Sequence, residues 1–432
     1  MAASSDEVTP LVERLFRDEA GRLIALLTRL LGPAHLALAE DVTQEAFIAA
    51  LGSWPRAGVP RRPSAWLLQV ARRKALDALR RDRALADRLP AIAAELEDVE
   101  RRDDAGAGED PFDDDRLRMI LLCCHPAVSG DSRVALTLKV VSGFSVSEVA
   151  RAFLADEKAV AQRLVRAKRA LRDAGATFEM PEGAARDARL DAVHSVLYLM
   201  FNEGHTAHDG ESLLRRDLCV EALRLAERLT RSESTGTPTT RALAALFCFH
   251  ASRFDERMDQ KGHVATLARQ DRSRWDVALI SRGFEHLALA GTGEALSTFH
   301  VEAEIASLHA IAPSWAATDW ARIVECYDRL LMITGSPVVA LNRVVAVREL
   351  RGAANALVEL REVERSGALD RYHLFHAVRA ELLGALGWSD EAARAWIRAR
   401  ELAKSNPVQR HIAQRLDALA SNDVDSEGIH PS

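Results

Sequence analysis

The chain has 432 residues, 48% of them hydrophobic and 28% charged, with a net charge of −6. That length predicts two or three packed units, and no run approaches the roughly 18 uncharged apolar residues that a membrane span needs. Five cysteines, at 123, 124, 219, 248 and 326, fit neither a disulfide framework nor a zinc spacing. The N-terminal stretch lacks the basic start and apolar core of a signal peptide, so a reducing cytoplasm is the expected location.

Abundant Ala, Leu, Arg and Glu with few β-branched runs predict an all-α fold. Helix is expected from Leu11 to about Arg88, broken at Gly32-Pro33 and by an extended loop from Trp54 to Pro63. Residues 89–114 read as an acidic linker without an apolar period. Helices resume near Arg116 and run to Ala174, with turns at Gly130 and Gly143. Met180-Pro-Glu-Gly183 is a second expected boundary. Helical periodicity then continues from Ala184 to about Ala420, interrupted by a loop at Ser232–Thr240.

The average charge hides blocks. Residues 56–88 hold ten Arg/Lys against three Asp, residues 95–115 hold eleven Asp/Glu against two Arg, and residues 151–172 hold seven Arg/Lys against two acids. Each block alone reads as a solvated face; two of them lie on well-formed helices.

The first basic helix is expected to start at Pro63-Ser64, with Ser64 as N-cap, and to run to Arg81. Leu68, Ala71, Ala75, Leu76 and Leu79 share one arc of the helical wheel. Trp66, Gln69, Arg73, Asp77 and Arg80 gather opposite, with Lys74 and Arg81 flanking and Arg72 at the edge. Two readings stand side by side. Cations beside an aromatic suit a phosphate backbone and an unstacked base; the same pattern also suits a packed Trp beside a solvated face.

The second basic helix follows Gly143-Phe-Ser-Val-Ser-Glu148, where Ser145 and Glu148 have capping-box spacing. A short helix, the turn Ala-Asp-Glu, and a helix capped by Asp156 give the layout of a helix-turn-helix. Val160, Leu164, Ala167 and Leu171 form its buried arc. Lys158, Gln162, Arg163, Arg166 and Arg169 project from the other side, as long donors must for a major groove. Helical hairpins that never touch DNA share this pattern.

Here the sequence resembles the RNA polymerase sigma factors of the sigma-70 family. Leu38-Ala-Glu-Asp-Val-Thr-Gln-Glu-Ala-Phe-Ile48 looks like their second conserved region. Ala65–Arg81 is similar to the part that melts and captures the −10 element, and residues 145–172 resemble the domain that reads the −35 element. The resemblance implies two small helical domains, residues 1–88 and 115–178, joined by the acidic linker 89–114. It implies core RNA polymerase as partner, through the β′ clamp helices and the β flap, and promoter DNA. Glu40, Asp41, Gln44, Glu45 and Phe47 would engage the clamp helices; an acidic helix face with Phe47 in the core is the alternative. Trp66, Gln69, Arg72, Arg73, Lys74, Asp77, Arg80 and Arg81 would hold the −10 DNA, and the loop 55–63 would receive a flipped base. Arg73 and Lys74 depart from members that carry Asn near this position. Lys158, Gln162, Arg163, Arg166 and Arg169 would hold the −35 element. The family's usual middle domain is missing, which resembles the extracytoplasmic-function class.

Residues 184–420 exceed what such a factor needs. Ala380–Gly387, Asp390–Trp396, Ala399 and Pro407 look like a tetratricopeptide unit, as do Ala346–Leu357 around Gly352 and, more degenerately, Ala288–Leu296. A helical solenoid with a surface for a protein or ligand partner is expected. A subgroup of these sigma factors is similar over the whole chain, with a join like Tyr198–Thr206 and a later Gln270–Trp275, which suggests regulation by the fused extension. His194, Glu203, His205, His208, Asp209 and Glu211 cluster in sequence, yet capping and hydrogen bonding at a helix–loop junction account for them better than metal or acid–base chemistry. Cys123-Cys124-His125 reads as core packing. No catalytic residue, metal ligand or cofactor is assigned, and the chain is not expected to be an enzyme.

Overall fold

In a computed structural model of the chain, the described residues are 5–81, 113–153, 155–205, 215–257, 265–292, 296–403 and 406–427, with the isolated positions 90 and 94. Every regular element among them is helical. The expected acidic linker falls almost wholly outside them, as do His208, Asp209 and Glu211. The chain forms two compact units, Met1–Leu199 and Met200–Ser432. The division falls within a helix, Gly183–His205, and not at Met180–Gly183.

The first unit opens with α1 (Ser5–Leu31), whose Ala20, Ala25, Leu26 and Leu27 are fully buried. Gly32, at φ 86°, and a 3-10 turn over Pro33–His35 reverse the chain into α2 (Leu36–Ala57). The expected loop from Trp54 to Pro63 is shorter than the sequence suggested, because α2 continues through Pro55 to Ala57. Trp54 is buried at 1% exposure and its carbonyl accepts from the N–H of Gly58, which turns away at φ 84°. Burial of the indole holds the last turn against the proline. Helix α3 (Pro63–Arg81) follows. Ser64 does not cap it, since its hydroxyl donates to Glu19 at 3.1 Å and Arg62 O accepts the first helical bond, from Trp66.

Beyond the linker come α4 (Asp113–Cys123), α5 (Gly130–Val140), α6 (Val146–Ala152), α7 (Glu157–Asp173) and α8 (Gly183–His205). The two halves of this unit are packed together rather than separate. Gly21 on α1 lies so close to the end of α5 that a Cβ there would stand 2.0 Å from Val141 O. Arg29 donates to Asp115 at 2.9 Å, and burial pushes the Asp115 carboxyl up while Arg29 pulls it back. Cys123 and Cys124 are buried in this core, where desolvation holds both thiols protonated, Cys124 near a pKa of about 12.

In the second unit, α9 (Arg216–Arg231), α10 (Pro238–Ala251), α11 (Val277–Ala290), α12 (Thr298–Ile311), α13 (Trp320–Thr334), α14 (Pro337–Arg351), α15 (Ala353–Arg365), α16 (His373–Ala385), α17 (Ser389–Leu402) and α18 (Asn406–Glu427) follow one another. Most pack on their neighbours in the chain, the local pattern of a solenoid. Small residues set the close approaches: a Cβ on Gly283 would meet the Phe249 ring at 2.6 Å, and Ala380, Ala392 and Ala399 are buried between α16 and α17. Gly352, at φ 85°, is the single residue that joins α14 to α15. The expected unit at Ala288–Leu296 is present only as the end of α11, since residues 293–295 lie outside the described set.

Candidate nucleic-acid and polymerase interface

Helix α7 is built as the sequence proposes. The Ser145 hydroxyl accepts from Glu148 N at 3.1 Å, and the Glu148 carboxylate accepts from Ser145 N at 2.8 Å, which closes the capping box of α6. Asp156 Oδ1 then accepts from Lys158 N and Ala159 N at 2.9 and 3.1 Å. Val160, Leu164, Ala167 and Leu171 are all buried, so the rest of the helix is fixed in rotation. Lys158, Gln162, Arg166 and Arg169 are exposed and Arg163 is half-buried. Arg169 pairs with Asp173 at 3.2 Å near the C-terminal end, leaving the N-terminal donors on the open side.

On α3, Leu68, Ala71 and Ala75 are buried, while Gln69, Arg73, Asp77 and Arg80 are exposed and Arg72 and Lys74 are half-buried. The side chains of Leu79 and Arg81 lie outside the described set. Trp66 is not on the open basic face as expected. It is half-buried, with its ring edge-on to Trp54 at 5.4 Å and 64°. The partner that sequence periodicity could not supply is Trp54, held inside by the longer α2. Part of the Trp66 ring still reaches solvent. Asp77 is drawn into an i,i+3 pair with Arg80 at 3.0 Å, and Lys74 reaches Glu45 at 2.7 Å.

The acidic segment divides in two. Asp41 and Glu45 are exposed on α2 and Gln44 is half-buried. Glu40 and Phe47 are not on that face. Phe47 is 4% exposed and meets Phe16 edge-on at 4.9 Å. Glu40 is 2% exposed and forms an ion pair with Lys168 of α7. A buried carboxylate needs a counter-charge, and the helix-turn-helix provides it. Sequence reasoning missed Ile48 and Leu51, which are 65% and 41% exposed beside Asp41 and Glu45. The helical steps 41, 45, 48 and 44, 48, 51 would have marked them as one stripe.

In the second unit, His205 lies against His250 at 4.9 Å between ring centroids, and Phe201 stacks on Phe247 at 4.2 Å. Among the described residues no group of three side chains has the arrangement of a metal site. His194, in the first unit, is buried, and desolvation lowers its pKa to about 4. A cleft of about 510 Å3 opens between α14, α16 and α18, walled by Trp315, Val345, Leu374, Val378, Trp396 and Ile412. On its rim Arg415 pairs with Glu381 at 2.6 Å, and Glu349 accepts from the Trp315 N–H at 2.8 Å.

Comparison with known proteins agrees with this geometry. Residues 15–85 match the model of sigma-70 region 2, which takes in α2 and α3, and residues 118–171 match sigma-70 region 4, which takes in the helix-turn-helix. The chain belongs to the sigma-70 family of RNA polymerase sigma factors. Region 2 followed closely by region 4 is the arrangement of the extracytoplasmic-function type, and the long C-terminal extension comes in addition to it. Residues 189–291 match a model described as a family of unknown function (DUF6596). An uncharacterized protein of Rhizobium meliloti (strain 1021) is 39% identical over 390 residues, 90% of this chain and 91% of the relative, so the similarity extends through the C-terminal unit. No solved structure matches the chain. Sigma factors recognise promoter DNA as a subunit of RNA polymerase and are not themselves enzymes. No helix among the described residues is long and apolar enough to cross a membrane.

Proposed function

We propose that this sigma factor binds core polymerase through the exposed stripe of α2, opens the −10 element with α3 and reads the −35 element with α7. The observation that carries the reading is the outward array Lys158, Gln162, Arg163 and Arg166, held by a fully buried opposite arc in the same compact unit as a second basic helix. On α3, Arg72, Arg73, Lys74, Arg80 and Arg81 would neutralise phosphates and Gln69 would reach a base edge. Trp66, braced by Trp54, would offer its free edge to an unstacked base, and the short turn 58–62 would receive the base that leaves the duplex. Asp41, Gln44, Glu45, Ile48 and Leu51 would meet the β′ clamp helices, and the region 4 domain the β flap. Residues 1–88, 89–114, 115–178 and 184–420 would then be region 2, linker, region 4 and regulatory extension, all acting in the cytoplasm.

The Glu40–Lys168 pair bears on how such a subunit engages. Region 2 and region 4 read elements about 25 base pairs apart, at about 3.4 Å per pair, so they must part before both dock. Glu40 would exchange Lys168 for a polymerase group in that step. Run-off transcription with purified full chain and core polymerase tests the proposal. A discrete transcript from a promoter of its own genome is expected. Absence of any transcript across the promoters of that genome would overturn it.

A further inference from the structure

Among the described residues, the second unit gathers a group of cations that no carboxylate pairs with. His250 sits in the last turn of α10, and Arg253 and Arg257 follow it. His205 approaches His250 from α8, His309 comes from the end of α12, and Arg272 comes from a 3-10 turn over Arg272–Arg274. Arg253 feels the charges of both Arg257 and Arg272, and His309 feels Arg272 and Arg253, so the three guanidiniums share one neighbourhood. Residues of two stretches that stood out in the sequence, His205 of Tyr198–Thr206 and Arg272 of Gln270–Trp275, both belong to this group.

The protein's own groups answer these cations incompletely. Arg272 donates to the carbonyls of His309 and Ala312 at 2.8 and 2.9 Å and to Thr318 Oγ1 at 3.1 Å. Arg257 donates to His205 O. Arg253 reaches one ring nitrogen, His250 Nδ1, at 3.1 Å, although a guanidinium carries five N–H groups. The nearby carboxylates serve other partners: Asp255 faces Arg216 at 2.6 Å, Glu256 faces Arg274 at 3.0 Å, and Asp271 accepts from Ser273. Two imidazole nitrogens, His205 Nε2 and His309 Nδ1, are buried with no hydrogen-bond partner. Desolvation depresses all three histidines, so they are neutral at pH 7 and each can turn one N–H toward an acceptor. Arg257 is buried and Arg253 and Arg272 are half-buried; cations so withdrawn from water are costly without a counter-charge, and an anion is the group that would relieve them. Their arrangement, with forked donors from two arginines, favours a dianion over a single carboxylate.

We propose that Arg253 and Arg257, with His205 and His309, form a binding site for a phosphate group carried by a small molecule. The rings of Phe201 and Phe254 flank the histidine end, where His205 lies 5.9 and 6.4 Å from them, and would bound the body of such a ligand. The extension thereby gains an input of its own, chemically distinct from the DNA phosphates that the first unit reads.

Isothermal titration of the full chain with inorganic phosphate tests the site. One phosphate per chain is expected, with a Kd of about 1 mM or tighter, weakened at least about tenfold in Arg253→Gln and by less in Arg253→Lys. Acetate should bind at least about tenfold more weakly than phosphate. Should Arg253→Gln misfold by circular dichroism, side-chain nitrogen resonances of His205 and His309 in the wild-type chain provide the reading, and phosphate should shift both. A variant carrying Arg163→Gln and Arg166→Gln should bind phosphate as the wild type does. Loss of binding in that variant would locate the phosphate on the DNA-reading helix and overturn the proposal. So would unchanged binding in Arg253→Gln, histidine resonances unmoved by phosphate, or acetate binding equal to phosphate.

Discussion

The two units treat charge in opposite ways. In the first, the cations stand on the open faces of α3 and α7, and the deeply buried Glu40 has Lys168 as its counter-charge. In the second, Arg253, Arg257 and Arg272 lie beside three depressed histidines, with no carboxylate among the described residues set against them. Surface cations in water lose little solvation on meeting a polyanion and confer salt-dependent binding. Inward cations are desolvated in advance and are suited to one compact ligand. The difference is what the proposed small-ligand site in the second unit rests on, against the DNA-reading helices of the first.

The sharpest way to break the contrast is Lys168→Ala. Removing one partner of a buried pair leaves a charge without compensation, which typically costs about 3–5 kcal/mol. Denaturant unfolding should show this, and a Glu40→Leu, Lys168→Met double variant should recover most of it. A negligible loss in the single variant would mean that Glu40 is not held as described.

Acid titration sharpens the other side of the comparison. Burial lowers His309 to a pKa of about 3 and takes His205 and His250 well down. Histidines depressed in the folded state stabilise it above their ordinary pKa near 6.5. That stability is lost as pH falls, by up to about 1.4 kcal/mol per pH unit for each. Melting of the second unit between pH 7 and 5 should therefore fall more steeply than that of the first, where only His194, at about 4, and His125, lowered by its partial burial, contribute in this sense among the described residues. Equal slopes would contradict the inward cluster.

Next in size, Arg163→Ala or Arg166→Ala should weaken promoter binding by the polymerase complex by about 1–3 kcal/mol if the contact is to a base. If it is to a phosphate, the salt slope should fall by about one. The smallest effect expected is on stability from Arg80→Ala. Its pair with Asp77 is exposed, and such pairs contribute about 0.5 kcal/mol or less. Transcription by that variant should fall more than its melting temperature.

Much of the first unit was legible because its signals are local. The Ser145 and Asp156 caps and the arc from Val160 to Leu171 are written within a few residues of where they act. Glu40 was not legible as a buried group, since its partner lies on a helix beyond the linker. The contact of Trp66 with Trp54 was not legible because Pro55 suggested a loop, while burial of Trp54 extends α2 past it. In the second unit, Ala380 through Ala399 announced close helix contacts. The arginine–histidine cluster did not announce itself, because four separate segments contribute to it and none carries a recognisable spacing.

The central claim is that the first unit reads promoters as part of RNA polymerase. Fluorescence anisotropy on a promoter selected by the chain with core polymerase tests it most directly, with a scrambled duplex as reference. The account predicts specific binding when core enzyme is present, and little preference for the promoter by the chain alone. Equal, promoter-specific affinity without core enzyme would contradict it and would mark the chain as a regulator of duplex DNA in its own right.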